Sequence, residues 1–120
     1  LARRTLTVQR KLEAFSRATV EARVAGALLE LAESAGSAVA GGGVRLDLPL
    51  SQDDLAGLAG TTRASCSAAV SALARQGLVR GRRLRGLVVA DPVRLAAVAA
   101  VDVRGRDLRL TAVTAPTYTA

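Results

Sequence analysis

The chain has 120 residues, enough for one modest domain, and its 17 basic against 10 acidic residues give a net charge of +7. This charge favours a polyanionic partner, namely nucleic acid or an anionic membrane surface. The chain has a single cysteine, which excludes an intramolecular disulfide. It has no histidine and no clustered carboxylates, so it offers no acid–base pair, metal site or activated nucleophile. We therefore expect no enzyme, no metal and no cofactor.

The first predicted element is helical. Between residues 5 and 35 apolar residues recur at helical spacing, which predicts one long helix or two helices joined near residues 16–19. One apolar stripe comprises Val8, Leu12 and Phe15, and the next comprises Val20, Val24, Leu28 and Leu31. The first stripe fits a dimer interface or ordinary core equally well. Residues 35–43 contain three consecutive glycines and are predicted to form a loop.

A short strand and a short helix follow the loop. Apolar and charged residues alternate, which predicts a half-buried strand. Its inward residues are Val44, Leu46 and Leu48. Ser51 is predicted to cap the helix, with Asp54 at the capping-box position three residues later. Gly60 is expected to end this helix and to supply a tight turn.

The second short helix is predicted to run from a cap at Thr61 or Thr62 to about Gln76, where Gly77 ends it. Its apolar face comprises Cys66, Ala69, Val70 and Leu73. Because Cys66 shares this face with apolar partners, we expect it to be a core residue rather than a redox or metal-binding thiol.

A hairpin and a further helix come next. Residues 78–80 and 87–89 are predicted to be strands joined by the basic loop GRRLRG at residues 81–86. Asp91 or Pro92 is expected to begin the last helix, because an acidic cap followed by proline is typical of a helix start.

Two short helices around a glycine turn, followed directly by a hairpin, have the order of a winged helix-turn-helix. The second helix of such a domain can enter a DNA major groove while the hairpin contacts phosphates. Residues 51–90 carry six arginines and two aspartates, a net charge of +4, and both aspartates lie at the start of the first of these helices. We therefore predict a mainly α fold with a small β-hairpin wing (α+β), in which a long amino-terminal helix precedes the winged helix-turn-helix.

Three stretches of the sequence carry a family resemblance: VEARVAGALLELA at residues 20–32, LSQDDLAGLAGTTR at 50–63 and VSALARQGLV at 70–79. Together with Asp91 and Leu95 after the wing, they resemble the DNA-binding domain of the Crp/Fnr family of bacterial transcription regulators. In that family the domain follows a dimerisation helix and an amino-terminal effector-binding β-barrel.

The resemblance implies a division of the chain. Residues 1–18 would be the end of the dimerisation helix, and residues 19–100 the winged domain. The helix-turn-helix would occupy about 51–76 and the wing about 78–90. Residues 101–120 alternate only weakly in polarity and stay unassigned.

The recognition helix of the family typically carries Glu-x-x-Ser-Arg, whose Glu and Arg contact bases. This chain has ASCSA at residues 64–68, so that only the serine matches, and an arginine just before it matches a base-reading arginine of some members. Base contacts are thus expected from Arg63, Ser67, Ala64 and Ala68. Phosphate contacts are expected from Ser51, Gln52, Thr62, Ser65, Ser71, Arg75, Arg80, Arg82, Arg83 and Arg85.

The resemblance implies a transcription regulator that binds double-stranded DNA as a homodimer on an inverted repeat. Residues 62–76 would lie in the major groove and the wing would contact the phosphates. RNA polymerase is a further candidate partner. The alternative is a winged-helix domain that binds DNA without sequence preference, or that binds protein.

No apolar run approaches the roughly 20 residues that span a bilayer, so we expect a cytoplasmic protein without a membrane partner. The basic first helix nevertheless leaves a role at a membrane surface open.

Overall fold

The computed structural model describes residues 2–81 and 83–100, and for residues 2–9 and 15 it describes the helical backbone alone. The described residues form, in chain order, α1 (Ala2–Ala35), β1 (Gly36–Ala38), β2 (Val44–Asp47), α2 (Gln52–Ala59), α3 (Arg63–Arg75), β3 (Val79–Arg80), β4 (Arg85–Val89) and α4 (Pro92–Ala99). The strands form one antiparallel sheet in the order β1-β2-β4-β3. The predicted mainly α winged helix-turn-helix with a long first helix is confirmed.

Helix α1 is continuous over 34 residues, so the first of the two predicted alternatives, one long helix, is correct. Its carboxyl-terminal half packs into the core, where Val24 and Leu28 are fully buried and Val20 and Leu31 pack against them. Leu12, by contrast, is 61% exposed and lies outside the core of this chain. The side chains of its predicted stripe partners, at positions 8 and 15, lie outside the described residues.

The predicted loop over residues 35–43 is wrong in its first part. Ala35 ends α1, and Gly36–Ala38 forms strand β1 with Gly36 opposite Leu46 of β2. This strand consists of Gly, Ser and Ala, so it has no apolar alternation to reveal it; its partner strand supplies the hydrogen bonds that define it. The glycine turn follows as predicted, with φ between 88° and 101° at residues 41–43.

The wing comprises β3 and β4, whose pairing places Val79 opposite Val89. Strand β4 starts at Arg85, two residues before the predicted start, so the predicted loop at 81–86 is too long. The reason is a second partner: β4 also pairs with β2, and Arg85 lies opposite Asp47 there. The preceding strand is shorter than predicted and covers two residues, Val79–Arg80.

Local capping signals set the helix boundaries of the helix-turn-helix. The hydroxyl oxygen of Ser51 accepts the backbone N–H of Asp54, and the carboxylate of Asp54 accepts the backbone N–H of Ser51, which confirms the capping box. Thr62, rather than Thr61, caps α3. Gly60 adopts a left-handed φ of 69° and ends α2 as predicted, because that conformation suits glycine.

The core lies between α1, the helix-turn-helix, the inner face of the sheet and α4. It is built almost wholly from leucine, valine and alanine, and its fully buried leucines are Leu28, Leu46, Leu55, Leu73, Leu78, Leu84, Leu87 and Leu95. Cys66 is fully buried among them, as predicted, and this burial raises the pKa of its thiol. The last helix, α4, is capped by Asp91 with Pro92 at its first position. The unassigned segment 101–120 lies outside the described residues.

Candidate nucleic-acid interface

A cleft of about 550 Å³ lies between the start of α2, the start of α3 and the wing. Its lining residues are Leu48, Pro49, Leu50, Ser51, Gln52, Arg63, Arg83, Leu84 and Arg85. Five of these residues were predicted from the sequence as DNA contacts, namely Ser51, Gln52, Arg63, Arg83 and Arg85. They come from three separate segments of the chain. None of the described residues that line the cleft is acidic, so the fold concentrates positive charge there.

Helix α3 presents a small outer face next to this cleft. Cys66, Ala69, Val70 and Leu73 form its buried face. On the opposite face Ala64, Ala68 and Arg75 are exposed and Ser71 is half-buried. Two methyl groups without hydrogen-bonding atoms therefore occupy the middle of this face, which permits close approach to another surface.

The two flanks of α3 meet different helices. On one flank the Ser67 hydroxyl donates a hydrogen bond to the side-chain carbonyl of Gln52 in α2. On the other flank Ser65, Ala68 and Arg75 line a groove of about 290 Å³ against α1. The structure therefore brings Ser67 and Gln52 together, and it places Ser65 beside α1.

Arg63 is the first residue of α3, and its Nη1 atom lies 3.3 Å from Oδ2 of Asp53 in the first turn of α2. Both side chains are about two-thirds exposed. The sequence interpretation identified the arginine but placed the aspartate only at the start of the first short helix. Their pairing depends on how the two helices cross, and no local pattern reveals it.

The two cap residues predicted as phosphate contacts, Ser51 and Thr62, are both exposed. Ser51 also donates its hydroxyl proton to Oδ2 of Asp54 at 3.0 Å. Hydrogen bonds from the backbone and the side chain of Ser51 together lower the pKa of the Asp54 carboxyl below its usual value. At neutral pH this carboxylate is therefore ionised and accepts both hydrogen bonds from the cap residue Ser51.

The fold and this arrangement match a known domain family. A family model described as the Crp-like helix-turn-helix domain matches residues 22–98. The chain belongs to the family of Crp-like helix-turn-helix domains. A comparison with curated proteins gives no match.

Solved structures similar to this Crp-like domain are regulators. The catabolite activator protein of Thermus thermophilus is 31% identical with a TM-score of 0.67, and the match covers 82% of this chain and 42% of that one. The CO-dependent transcription factor CooA of Carboxydothermus hydrogenoformans is 27% identical with a TM-score of 0.61, covering 79% and 42%. A second Thermus thermophilus protein, a transcriptional regulator of the CRP/FNR family, is 28% identical with a TM-score of 0.57, covering 78% and 50%. The chain thus spans half or less of the length of these structures.

The wing of the Crp-like domain presents Arg80, Arg83 and Arg85 to solvent, whereas Arg82 lies outside the described residues. Between Arg83 and Arg85, Leu84 is only 2% exposed and belongs to the core. It therefore anchors the wing against the body of the domain. The sequence interpretation placed it in a basic loop and missed it, although an apolar residue between two arginines is the alternation expected of a strand with one buried face.

Two further arginines brace the helix-turn-helix from outside. Nη1 of Arg23 in α1 donates to the carbonyl of Gly60 in the interhelical turn at 3.0 Å, and Nη2 of Arg94 in α4 donates to the carbonyl of Gln76 at the end of α3 at 3.3 Å. Both contacts satisfy carbonyls at helix ends that have no partner within their own helix. The sequence offered no signal for either contact.

The described part of the chain holds neither a metal site nor a membrane-spanning helix. Among residues 2–81 and 83–100, no three His, Cys, Asp or Glu side chains are grouped so that they could hold a metal ion. Of the helices described, none combines the length and the apolar character that a membrane crossing needs.

Proposed function

We propose that this chain is the DNA-binding part of a transcription regulator, and that it reads DNA sequence through α3. The observation that carries the proposal is the cleft that joins Ser51, Gln52, Arg63, Arg83 and Arg85 beside the outer face of α3. These residues come from separate segments and line one cleft. A winged helix-turn-helix contacts DNA through its second helix and its wing, which supports the proposal. Family membership gives independent support.

In the proposed mechanism α3 enters the major groove, which is about 12 Å wide. Arg63 donates two hydrogen bonds to a guanine edge, and the methyl groups of Ala64 and Ala68 lie against thymine methyls. Ser67 completes the proposed base-reading set. The small outer face of α3 lets its backbone come close to the bases, so that few side chains are needed.

Phosphate contacts surround this reader. Ser51, Gln52 and Thr62 lie at helix starts, where the helix dipole favours anions. The other proposed phosphate contacts are Ser65, Ser71, Arg75, Arg80, Arg82, Arg83 and Arg85. Contacts of this kind set the position of the protein on the duplex and are independent of its sequence.

We further propose a homodimer on an inverted repeat. In the first half of α1, Leu12 is exposed together with its described neighbours from Arg10 to Arg17, so this stretch is available to a second copy. On this proposal residues 1–18 are the end of a dimerisation helix and residues 19–100 are the winged domain. Two copies of α3 would then lie about 34 Å apart, one helical turn of DNA. The bound dimer would recruit or block RNA polymerase.

One observation favours a second function. Ala64 and Ala68 lie on the outer face where base-reading side chains are typical of the family, and neither side chain offers a donor or acceptor. A winged domain without sequence preference, or one that binds protein, would need no such groups. The two functions differ in whether binding depends on DNA sequence.

The experiment starts with selection of binding sequences from a random duplex pool and then compares two variants on the selected duplex. Arg63→Ala is expected to lower the discrimination between selected and scrambled duplexes by about five- to 150-fold, because a bidentate guanine contact is worth about 1–3 kcal/mol. Arg83→Ala is expected to weaken binding to every sequence alike and to reduce the salt slope by about one. Identical behaviour of the two variants, or the absence of any enriched sequence, would contradict the proposed reader.

A further inference from the structure

The ion pair between Asp53 and Arg63 puts an acidic side chain beside the proposed base reader. Nη1 of Arg63 lies 3.3 Å from Oδ2 of Asp53, and the arginine lines the cleft. An acidic group here opposes phosphate binding, since it repels the same phosphates that the neighbouring arginines attract. Its presence in the interface therefore calls for a role other than affinity.

Stability does not explain this ion pair. The two side chains are 67% and 65% exposed, so solvent screens their attraction and the pair adds little to the folded state. Nor does the cap of α2 need Asp53. The carboxylate of Asp54 already accepts the backbone N–H and the hydroxyl of Ser51, at 2.9 and 3.0 Å.

The chemistry of the guanidinium shows what the pair can do. Arginine has five N–H donors in a planar fork, and one carboxylate oxygen at Nη1 leaves others able to form a bidentate contact with a guanine edge. A guanine edge is uncharged, whereas a phosphate brings a negative charge towards Asp53. The carboxylate thus penalises a phosphate next to Arg63 but not a base.

The composition of α3 makes this distinction matter. Its outer face carries Ala64 and Ala68, so Arg63 is the strongest hydrogen-bond donor among the proposed base readers. If Arg63 moved to a phosphate, most of the sequence preference would be lost while affinity was kept.

We propose that Asp53 is a positioning residue for DNA sequence recognition, which holds Arg63 towards the base edge and disfavours its capture by a phosphate. This inference rests on the proposed function. It adds that the preference for a particular sequence depends on a residue that contributes nothing to affinity for the phosphates.

The test is Asp53→Asn, measured as the affinity ratio between the selected duplex and a scrambled duplex of equal length. Affinity for the scrambled duplex is expected to rise, while affinity for the selected duplex rises less or falls. The ratio should fall about two- to fivefold, the range expected for one exposed ion pair. Asp53→Glu keeps the charge and is expected to restore the wild-type ratio.

Two controls separate positioning from a general charge effect. Asp47→Asn removes the same charge opposite Arg85 in the sheet, and it is expected to raise both affinities and leave the ratio unchanged. In an Arg63→Ala background, Asp53→Asn is expected to leave the ratio unchanged, because the residue it positions is absent. Circular dichroism of each variant at the assay temperature verifies that it is folded.

The inference is overturned if Asp53→Asn and Asp47→Asn change the ratio equally, or if Asp53→Asn acts as strongly without Arg63. A wild-type chain that binds DNA but enriches no sequence contradicts the proposed function as well, because that function includes sequence reading through α3. If the wild-type chain binds no DNA, the proposed function itself fails, and that outcome is distinct from the others.

Discussion

At the scale of single residues, Ser51 and Thr62 serve both the fold and the candidate interface. Each side-chain oxygen accepts a backbone N–H from three residues later and so fixes the start of a helix. Both residues are exposed. The two cap residues we propose as phosphate contacts therefore also set where α2 and α3 begin.

The capping box makes stability depend on pH through Asp54. Because Ser51 lowers the pKa of this carboxyl in the folded chain, its ionised form stabilises the fold above the ordinary value near 3.8, and that contribution is lost as the pH falls through the lower folded value. Asp54→Asn is expected to be less stable than wild type at neutral pH, and this difference in the free energy of unfolding should disappear in acid. Urea unfolding over a pH series measures this difference, with Glu33→Gln as a control for the loss of one charge. A difference that stays constant into strong acid would contradict the role of the cap.

What could be predicted for single residues depended on whether the cause was local. Cys66 was correctly placed in the core, because its spacing to Ala69, Val70 and Leu73 defines a helix face. Arg63 was identified through the family resemblance, but its pairing with Asp53 was not predicted. That contact joins two helices, and their crossing angle is set by packing that no single stretch of sequence contains.

At the scale of elements, helix ends were predicted well and strand ends less well. Gly60 and Gly77 have the positive φ of helix terminators, and their local sequence was enough to identify them. Strand β1 and the early start of β4 both depend on pairing with β2, which is separated from β4 by about 40 residues of sequence. Strand β1 has no apolar alternation of its own, and the start of β4 is set by a partner that lies far away in the sequence.

The passage from α1 to β1 requires glycine at position 36. A Cβ atom there would lie 2.3 Å from Cγ1 of Val44 and 2.4 Å from the carbonyl oxygen of Ala32, so the backbone must shift. Gly36→Ala is expected to destabilise the domain by about 1–3 kcal/mol, the usual cost of forced overpacking. Urea unfolding at neutral pH measures the effect.

Gly57 supplies the matched control, because it lies inside α2 and a Cβ atom there meets nothing within 4 Å. Gly57→Ala is expected to stabilise the domain by about 0.5–1 kcal/mol through helix propensity. If both substitutions changed the free energy of unfolding in the same direction, the close approach at position 36 would not be the reason that glycine is required there.

At the scale of the whole molecule, the fold brings arginines from separate segments of the chain into one basic cleft. The sequence showed that arginines are concentrated in residues 51–90, and the structure adds that Leu84 anchors the wing so that Arg83 and Arg85 line the same cleft as Arg63. The winged architecture was predicted because its elements follow one another along the chain. The cleft was not, because it forms only when α2, α3 and the wing have packed together.

The chain spans half or less of the length of the solved regulators that it resembles. The described residues bear most directly on a narrower claim, which is that this domain distinguishes one DNA sequence from another.

That claim is tested most directly by fluorescence anisotropy titration of the wild-type chain with its selected duplex and a scrambled duplex, each at about 50 and 200 mM salt. We predict that both affinities fall as salt rises, because wing and helix-start contacts release counterions from the phosphates. We also predict that the selected duplex binds at least about tenfold more tightly at both salt concentrations, which one bidentate base contact can supply. Equal affinities for the two duplexes, with the same steep salt dependence, would contradict sequence reading through α3.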